Sequence, residues 1–329
     1  MNFRLTLIAV IVLLFLLINI SCNATKTDEE WYKEAKDYYN QKNNYKALAC
    51  VNKALIVNPK YKEAWILKAE LLEDKHNHEE AIKCIDKALE IDPEDEKICY
   101  WKGLISMRHM SYKYTIKCFD SVLEINPNHK EALVRKAYLL KESYRYEESY
   151  KCYEKALELD PNDARAWRDE GDVLFDSGKY AKAVKAYSKS IELDPDYEFV
   201  SLVLCNQGES LLKSEKYKEA IEVYDKVIAL EPGFDNAWCG KGKALMGQNE
   251  YREAIRCFDK ALKIDRNLDT IYNKGLALYN LDRYEEAIKC YNIVIQLDSK
   301  YIDAWYSKGC ALEALGKYEE GKICYDEIY

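Results

Sequence analysis

From residue 28 onward, apolar residues recur at helical rather than strand spacing, and one pattern of apolar and polar positions returns about every 34 residues. Aligned on that return, the chain divides into repeats at 28–61, 62–95, 96–129, 130–163 and 164–197. These are followed by repeats at 201–234, 235–267, 268–301 and an incomplete 302–329, with residues 198–200 inserted. Each repeat carries two apolar stripes flanking a short polar turn, which predicts an antiparallel helix pair. The expected fold is all-α, a solenoid of about nine helix pairs in which each pair buries its apolar faces against its neighbours.

Numbered within the repeat, the recurring positions have physical meanings. Position 8 is always small (Ala35, Ala69, Gly103, Ala137, Gly171, Gly208, Gly242, Gly275, Gly309), and so is position 20, from Ala47 to Gly321. Small residues let two helix axes approach closely. Position 24 is bulky instead (Val51, Ile85, Phe119, Tyr153, Tyr187, Tyr224, Phe258, Tyr291, Tyr325), a set of knobs suited to the gap the small residues leave. Position 17, just after the turn, is Tyr from Tyr112 to Tyr318. All six prolines (Pro59, Pro93, Pro127, Pro161, Pro195, Pro232) occupy position 32 and close the second helix. Asn58, Asp92, Asn126, Asp160 and Asp194 precede five of them as link residues.

Trp at position 4 (Trp31, Trp65, Trp167, Trp238, Trp305), small residues at 8 and 20, an aromatic at 24, Ala-Leu at 27 and 28 and Pro at 32 resemble the tetratricopeptide repeat. The resemblance covers residues 28–329. It implies a right-handed superhelix whose first helices line a concave groove for a peptide or partner helix, with groove residues at positions 2, 5, 9, 12 and 13. On this chain those positions include Tyr32, Tyr39, Tyr100, Leu104, Met107, Tyr138, Arg168, Tyr272, Leu276, Tyr279 and Tyr306. Aromatic and Met side chains beside charges suit an apolar peptide face.

The chain departs from the family pattern in three places. The insertion 198–200 is expected to lengthen or kink the first helix of repeat 6. The last repeats lack the linking proline, with Arg266 and Ser299 in two of those places, and the final helix ends at Ile328-Tyr329 without a polar cap. The family's clamp for acidic chaperone tails needs Lys and Asn at positions 5 and 9, whereas the pairs here read Tyr32/Lys36, Ile66/Glu70, Tyr100/Leu104 and Arg168/Asp172.

Residues 1–22 are a separate object. Arg4 precedes an apolar run from Leu5 to Ile18, which is short for a membrane span and suited to a signal segment. The segment ends Ser21-Cys22 and resembles a bacterial lipoprotein signal, in which Cys22 becomes the acylated N-terminus, although Asn19 stands where that family has a branched apolar residue. Cleavage after Ala24 and an uncleaved anchor are the alternatives. Residues 23–27 read as a short linker, and Asp28, Glu29 and Glu30 after the apolar run favour a repeat body outside the cytoplasm. The expected location is the cell envelope by lipid anchor, with secreted and cytoplasmic forms as alternatives.

A net charge of −8 opposes general binding to nucleic acid, which requires a basic excess. Of the 12 cysteines, Cys50, Cys84, Cys118, Cys152, Cys257, Cys290 and Cys324 share position 23. That position lies on the packed face of the second helix, and Ala186 and Val223 replace Cys there, so a small apolar residue is what the position requires. An acylated Cys22 would leave an odd number of thiols in a compartment where disulfides are usual. His76, His78 and His109 gather near two turns without a spaced carboxylate or thiol, and no phosphate loop or nucleophile motif occurs. No cofactor, metal or catalytic residue is expected. The function expected is a noncatalytic, membrane-anchored scaffold for a protein or peptide partner. Two alternatives stay open: the targeting region of a longer enzyme, such as the glycosyltransferases that carry this repeat, and a periplasmic regulator's input module.

Overall fold

The computed structural model describes residues 26–328. The signal segment, its Cys22 and residues 23–25 of the linker lie outside the described residues. Among the described residues there are 18 helices and no strand, packed in consecutive pairs as the repeat pattern requires. No described helix is long and apolar enough to cross a membrane.

The chain forms two compact units that divide between Ala132 and Leu133. The first holds the pairs Asp28–Asn40 with Asn44–Val57, Lys62–Glu73 with His78–Ile91, and Glu96–His109 with Tyr112–Ile125. The helix Lys130–Glu142 carries the division. The second unit continues with Tyr146–Leu159, then Ala164–Asp176 with Tyr180–Leu193, Val200–Lys213 with Tyr217–Leu230, and Asp235–Gly247 with Tyr251–Ile264. It closes with Leu268–Tyr279 paired with Tyr284–Leu297, and Ile302–Ala314 paired with Tyr318–Asp326.

Local chemistry sets the helix ends. Thr27 accepts from the Glu30 backbone N–H at 3.2 Å while the Glu30 side chain accepts from Thr27 N–H at 3.0 Å, so two otherwise unpaired donors are satisfied at once. Asn43, Asp95, Ser111, Asp163 and Asn267 cap later helices by the same use of a side-chain oxygen. Between the helices of a pair, position 15 takes a left-handed conformation, with φ from 57° to 77° in Lys42, His76, Tyr144, Gly178, Glu215, Asn249, Asp282 and Gly316. Repeat 3 departs from this. Its first helix runs on to His109, Met110 is extended at φ −113°, and Ser111 caps the second helix directly.

The small and bulky positions meet as their pattern requires. A Cβ added to Gly171 would lie 2.6 Å from the Tyr187 ring, and Gly103, Gly208, Gly242, Gly275 and Gly309 stand in the same relation to Phe119, Tyr224, Phe258, Tyr291 and Tyr325. Phe119, Tyr153, Tyr187, Phe258 and Tyr291 are fully buried, so these knobs are the largest contributors to the core, each about 1.5–3 kcal/mol by area. The Trp at position 4 ties repeat to repeat: its indole N–H donates to the backbone carbonyl at position 32 of the preceding repeat, Trp65 to Pro59 at 2.8 Å and Trp167 to Pro161 at 2.9 Å.

The insertion lengthens the first helix of repeat 6 by one residue, Val200, and the remaining two residues form a turn, with Val200 N–H donating to Tyr197 C=O at 2.9 Å.

Candidate protein-binding face

Positions 2, 5, 9, 12 and 13 of each first helix turn away from the second-helix side, because 3.6-residue spacing sets them opposite the packed positions. In the first unit this face holds Tyr32, Tyr39, Tyr100, Leu104 and Met107, all half-buried. Tyr32 packs its ring 5.0 Å from that of Tyr61, and burial raises the pKa of its hydroxyl. Tyr100 lies 4.7 Å from the His129 ring and 5.9 Å from Phe119. These aromatics are wall residues with fixed orientations and a polar edge left outside.

In the second unit the face has two chemistries. Tyr272, Leu276 and Tyr279 lie along one helix with Tyr306 on the next first helix, and Tyr306 is 58% exposed. Tyr272 is held by a hydrogen bond shared with Ser307 Oγ at 3.0 Å and by the Tyr301 ring at 5.3 Å, while Tyr279 packs edge-on against Tyr284 at 5.3 Å. Tyr138, at the other end of the unit, is 46% exposed. Between them the face is polar. Arg168 donates through Nε and a terminal nitrogen to Asp169 Oδ1 at 3.0 and 2.7 Å, and through its other terminal nitrogen to the Tyr197 hydroxyl at 2.8 Å. Its guanidinium lies 5.3 Å over the Tyr197 ring, so Arg168 holds the chain leading into the insertion as well as facing the groove side.

Two residues of this polar stretch, Asp194 and Tyr197, were not among the sequence candidates for the face, whereas Asp172 occupies its position 9. Asp172 accepts from the Tyr187 hydroxyl at 2.7 Å and from Asn206 Nδ2 at 3.4 Å, and burial raises its pKa despite both bonds. Tyr197 and Asp194 join Arg165 and Arg168 around a cavity of about 370 Å³ beside the insertion. Tyr197 is the last residue before the three inserted ones, the signal from which it could have been found.

Family models described as tetratricopeptide repeat match residues 32–96, 134–198, 201–234 and 236–268, and one described as TPR repeat matches 275–316. The chain belongs to the tetratricopeptide-repeat family. The stretch between the first two matches holds repeat 3, the repeat whose turn lacks the left-handed residue. No curated protein matches the sequence. Among solved structures, this tetratricopeptide-repeat chain is similar to PilW, described as a widely conserved type IV pilus biogenesis factor. The two share 17% identity at a TM-score of 0.52, over 63% of this chain and 94% of PilW. PilF of Pseudomonas aeruginosa shows 18% identity and a TM-score of 0.50, over 69% of this chain and 96% of that one. YrrB, described as a TPR protein with an unusual peptide-binding site, shows 23% identity and a TM-score of 0.48, over 58% and 97%. At these identities the likeness to PilW and PilF shows the fold.

The tetratricopeptide-repeat core accounts for the other reactive side chains. Cys50, Cys84, Cys118, Cys257, Cys290 and Cys324 are buried and Cys152 half-buried. Burial raises the thiol pKa of the six buried ones, which suppresses the thiolate that metal or redox chemistry would use. His78 is half-buried rather than an exposed turn residue: its ring stacks on His109 at 3.5 Å and its Nδ1 lies 2.6 Å from Glu73 Oε1. Among the described residues no group of three or more His, Cys, Asp or Glu side chains could hold a metal ion.

Proposed function

We propose that this tetratricopeptide-repeat protein is a noncatalytic scaffold that binds a peptide or helix of a protein partner along its first-helix face, and that its N-terminal segment anchors it in the cell envelope through Cys22. The observation that carries the binding reading is the apolar row Tyr272, Leu276, Tyr279 and Tyr306, in which half-buried, oriented aromatics stand beside an exposed one. Rigid aromatic surfaces of this kind bury area at little entropic cost and serve as anchors in protein recognition. The anchor rests on the apolar run Leu5 to Ile18 followed by Ser21-Cys22.

Capture of partners from envelope extract of the native host tests the binding reading. The variant Leu276→Ala with Tyr306→Ala is expected to lose most of the captured partner while keeping the helical content of the parent. Undiminished capture by this variant contradicts the assignment. Mass spectrometry of the native N-terminus tests the anchor: a diacylglyceryl-modified Cys22 supports it, and an intact Met1 contradicts it.

A further inference from the structure

Position 7 of the first helix carries Lys in six repeats: Lys68, Lys102, Lys136, Lys241, Lys274 and Lys308. In three of them the side chain points into the cleft between successive second helices, on the side away from the first-helix face, and pairs with the acid at position 25 of the preceding repeat, whereas Lys68 and Lys308, preceded by Asn52 and Asn292 at that position, lie 5.2 Å over the Trp65 and Trp305 rings. Lys102 meets Asp86 at 2.7 Å, Lys241 meets Asp225 at 2.5 Å and Lys274 meets Asp259 at 2.6 Å. Where the chain departs from Lys, the pairing partner changes with it in two cases. Glu34 in repeat 1 pairs with Lys26, and Gln207 in repeat 6 donates to Ser188 Oγ at 2.6 Å.

The third departure has no such compensation. Repeat 5 places Glu170 at position 7, and the preceding repeat places Glu154 at position 25, so two carboxyls occupy a site built elsewhere for one cation and one anion. Glu170 is only 5% exposed and has no ion-pair or hydrogen-bond partner among the described residues. It faces a cleft of about 340 Å³ formed by Tyr150, Glu154 and Glu158 on the helix Tyr146–Leu159, Trp167 and Leu174 beside it, and Lys182 and Lys185 on the helix Tyr180–Leu193. Neither lysine of the cleft pairs with Glu170, Lys182 lying 5.3 Å over the Tyr150 ring, and the neighbouring Lys179 pairs with Glu147 at 2.6 Å. Burial, with the Glu154 charge added and Lys182 offsetting part, pushes the Glu170 pKa up to about 7. An unpaired buried carboxyl is costly, and a cation with a hydrogen-bonding head is what relieves it.

We propose that the cleft between the second helices of repeats 4 and 5 is a receptor for one basic side chain of a protein partner, a Lys or Arg that enters past Tyr150 and Trp167 to pair with Glu170 and Glu154. The incoming cation takes the place that the chain's own Lys occupies in the equivalent clefts at Lys102, Lys241 and Lys274. The Tyr150 and Trp167 rings suit its alkyl stem and add cation–π attraction. The site is independent of the first-helix face, so either can fail without the other.

The probe is the blocked peptide acetyl-Gly-Ser-Lys-Ser-Gly-amide, titrated at low salt and pH 8 into the full chain labelled with ¹⁵N on its indoles. Six tryptophans give six signals, and Trp167→Phe assigns the one beside the cleft. The lysine peptide is expected to shift the Trp167 signal saturably, and the same peptide with norleucine in place of lysine to leave it unmoved. Glu170→Lys, which fills the cleft from within, is expected to weaken binding at least tenfold. If that variant does not fold, Glu170→Gln is expected to weaken binding about fivefold or more. A Trp167 signal that does not move with the lysine peptide, or moves equally with norleucine or in the folded Glu170 variant, overturns the proposal.

Discussion

The indole N–H of Trp305 donates to the backbone carbonyl of Ser299 at 3.0 Å, the same bond that Trp238 makes to Pro232 at 3.0 Å. The link between repeats therefore survives loss of the proline, because the carbonyl at position 32 accepts and a proline ring is not required. Ser299→Pro should stabilise the chain by about 0.4–1 kcal/mol, since proline restricts the unfolded chain at a position where six other repeats carry it. Trp305→Phe should cost about 1 kcal/mol or more through the lost bond. Urea denaturation of the two variants checks both signs.

Gly275 is pinned beneath Tyr291, with a built Cβ only 2.6 Å from the ring. Gly275→Val should destabilise by about 1–3 kcal/mol through overpacking. Gly275→Ala should cost much less, because Ala137 beneath Tyr153 shows that the ring gives way for one methyl group. Thermal melts of the two variants separate these outcomes.

The turn residues Lys42 (φ 58°) and Tyr144 (φ 59°) hold a conformation that glycine adopts freely, as Gly178 and Gly316 do in their own repeats. Lys42→Gly and Tyr144→Gly should each stabilise by about 0.5–1 kcal/mol. Met110→Gly should destabilise, because Met110 has an extended backbone and packs against the core, so glycine removes that contact and adds unfolded-state entropy. Opposite signs at equivalent repeat positions are the outcome to look for by chemical denaturation.

Glu170 gives a pH dependence whose sign is fixed by its raised pKa. The folded chain holds the Glu170 proton up to about pH 7, whereas an unfolded chain releases it near 4.5, so folded-state stability falls as pH rises across that window. Facing it are Tyr150, Glu154 and Glu158 from one helix and Lys182 and Lys185 from the other. Glu170→Gln should be more stable than the parent at pH 8, by about 1–2 kcal/mol, and should match it near pH 5. Melting curves at the two pH values test this.

Much of the fold was legible because its determinants are local and repeated nine times. Position 8 against position 24 could be read as small against bulky from the sequence, and Gly171 beneath Tyr187 is that reading in atoms. The turn of repeat 3 was not legible, since Met110 fills position 15 and nothing in its side chain announces an extended backbone. The first-helix candidates were placed by family position alone, so their exposures could not be ranked: Tyr306 stands open while Tyr272 is tied to Ser307. Arg168 was readable as a charge on that face, but its bond to Tyr197 depends on how the inserted residues fold back. Glu170 was missed for a different reason. Its meaning comes from what Lys102, Lys241 and Lys274 do in other repeats, a comparison that needs the paired acids in view.

The first-helix face is the central claim, and a titration of a selected peptide tests it most directly. Peptides enriched from a random displayed library on the full chain should bind with a Kd that rises at least tenfold when Tyr272, Leu276 and Tyr306 are replaced together by Ala. Replacement of the exposed second-helix residues Tyr45 and Leu297 by Ala should leave that Kd unchanged. A Kd that is unmoved by the first change and raised by the second would contradict the account.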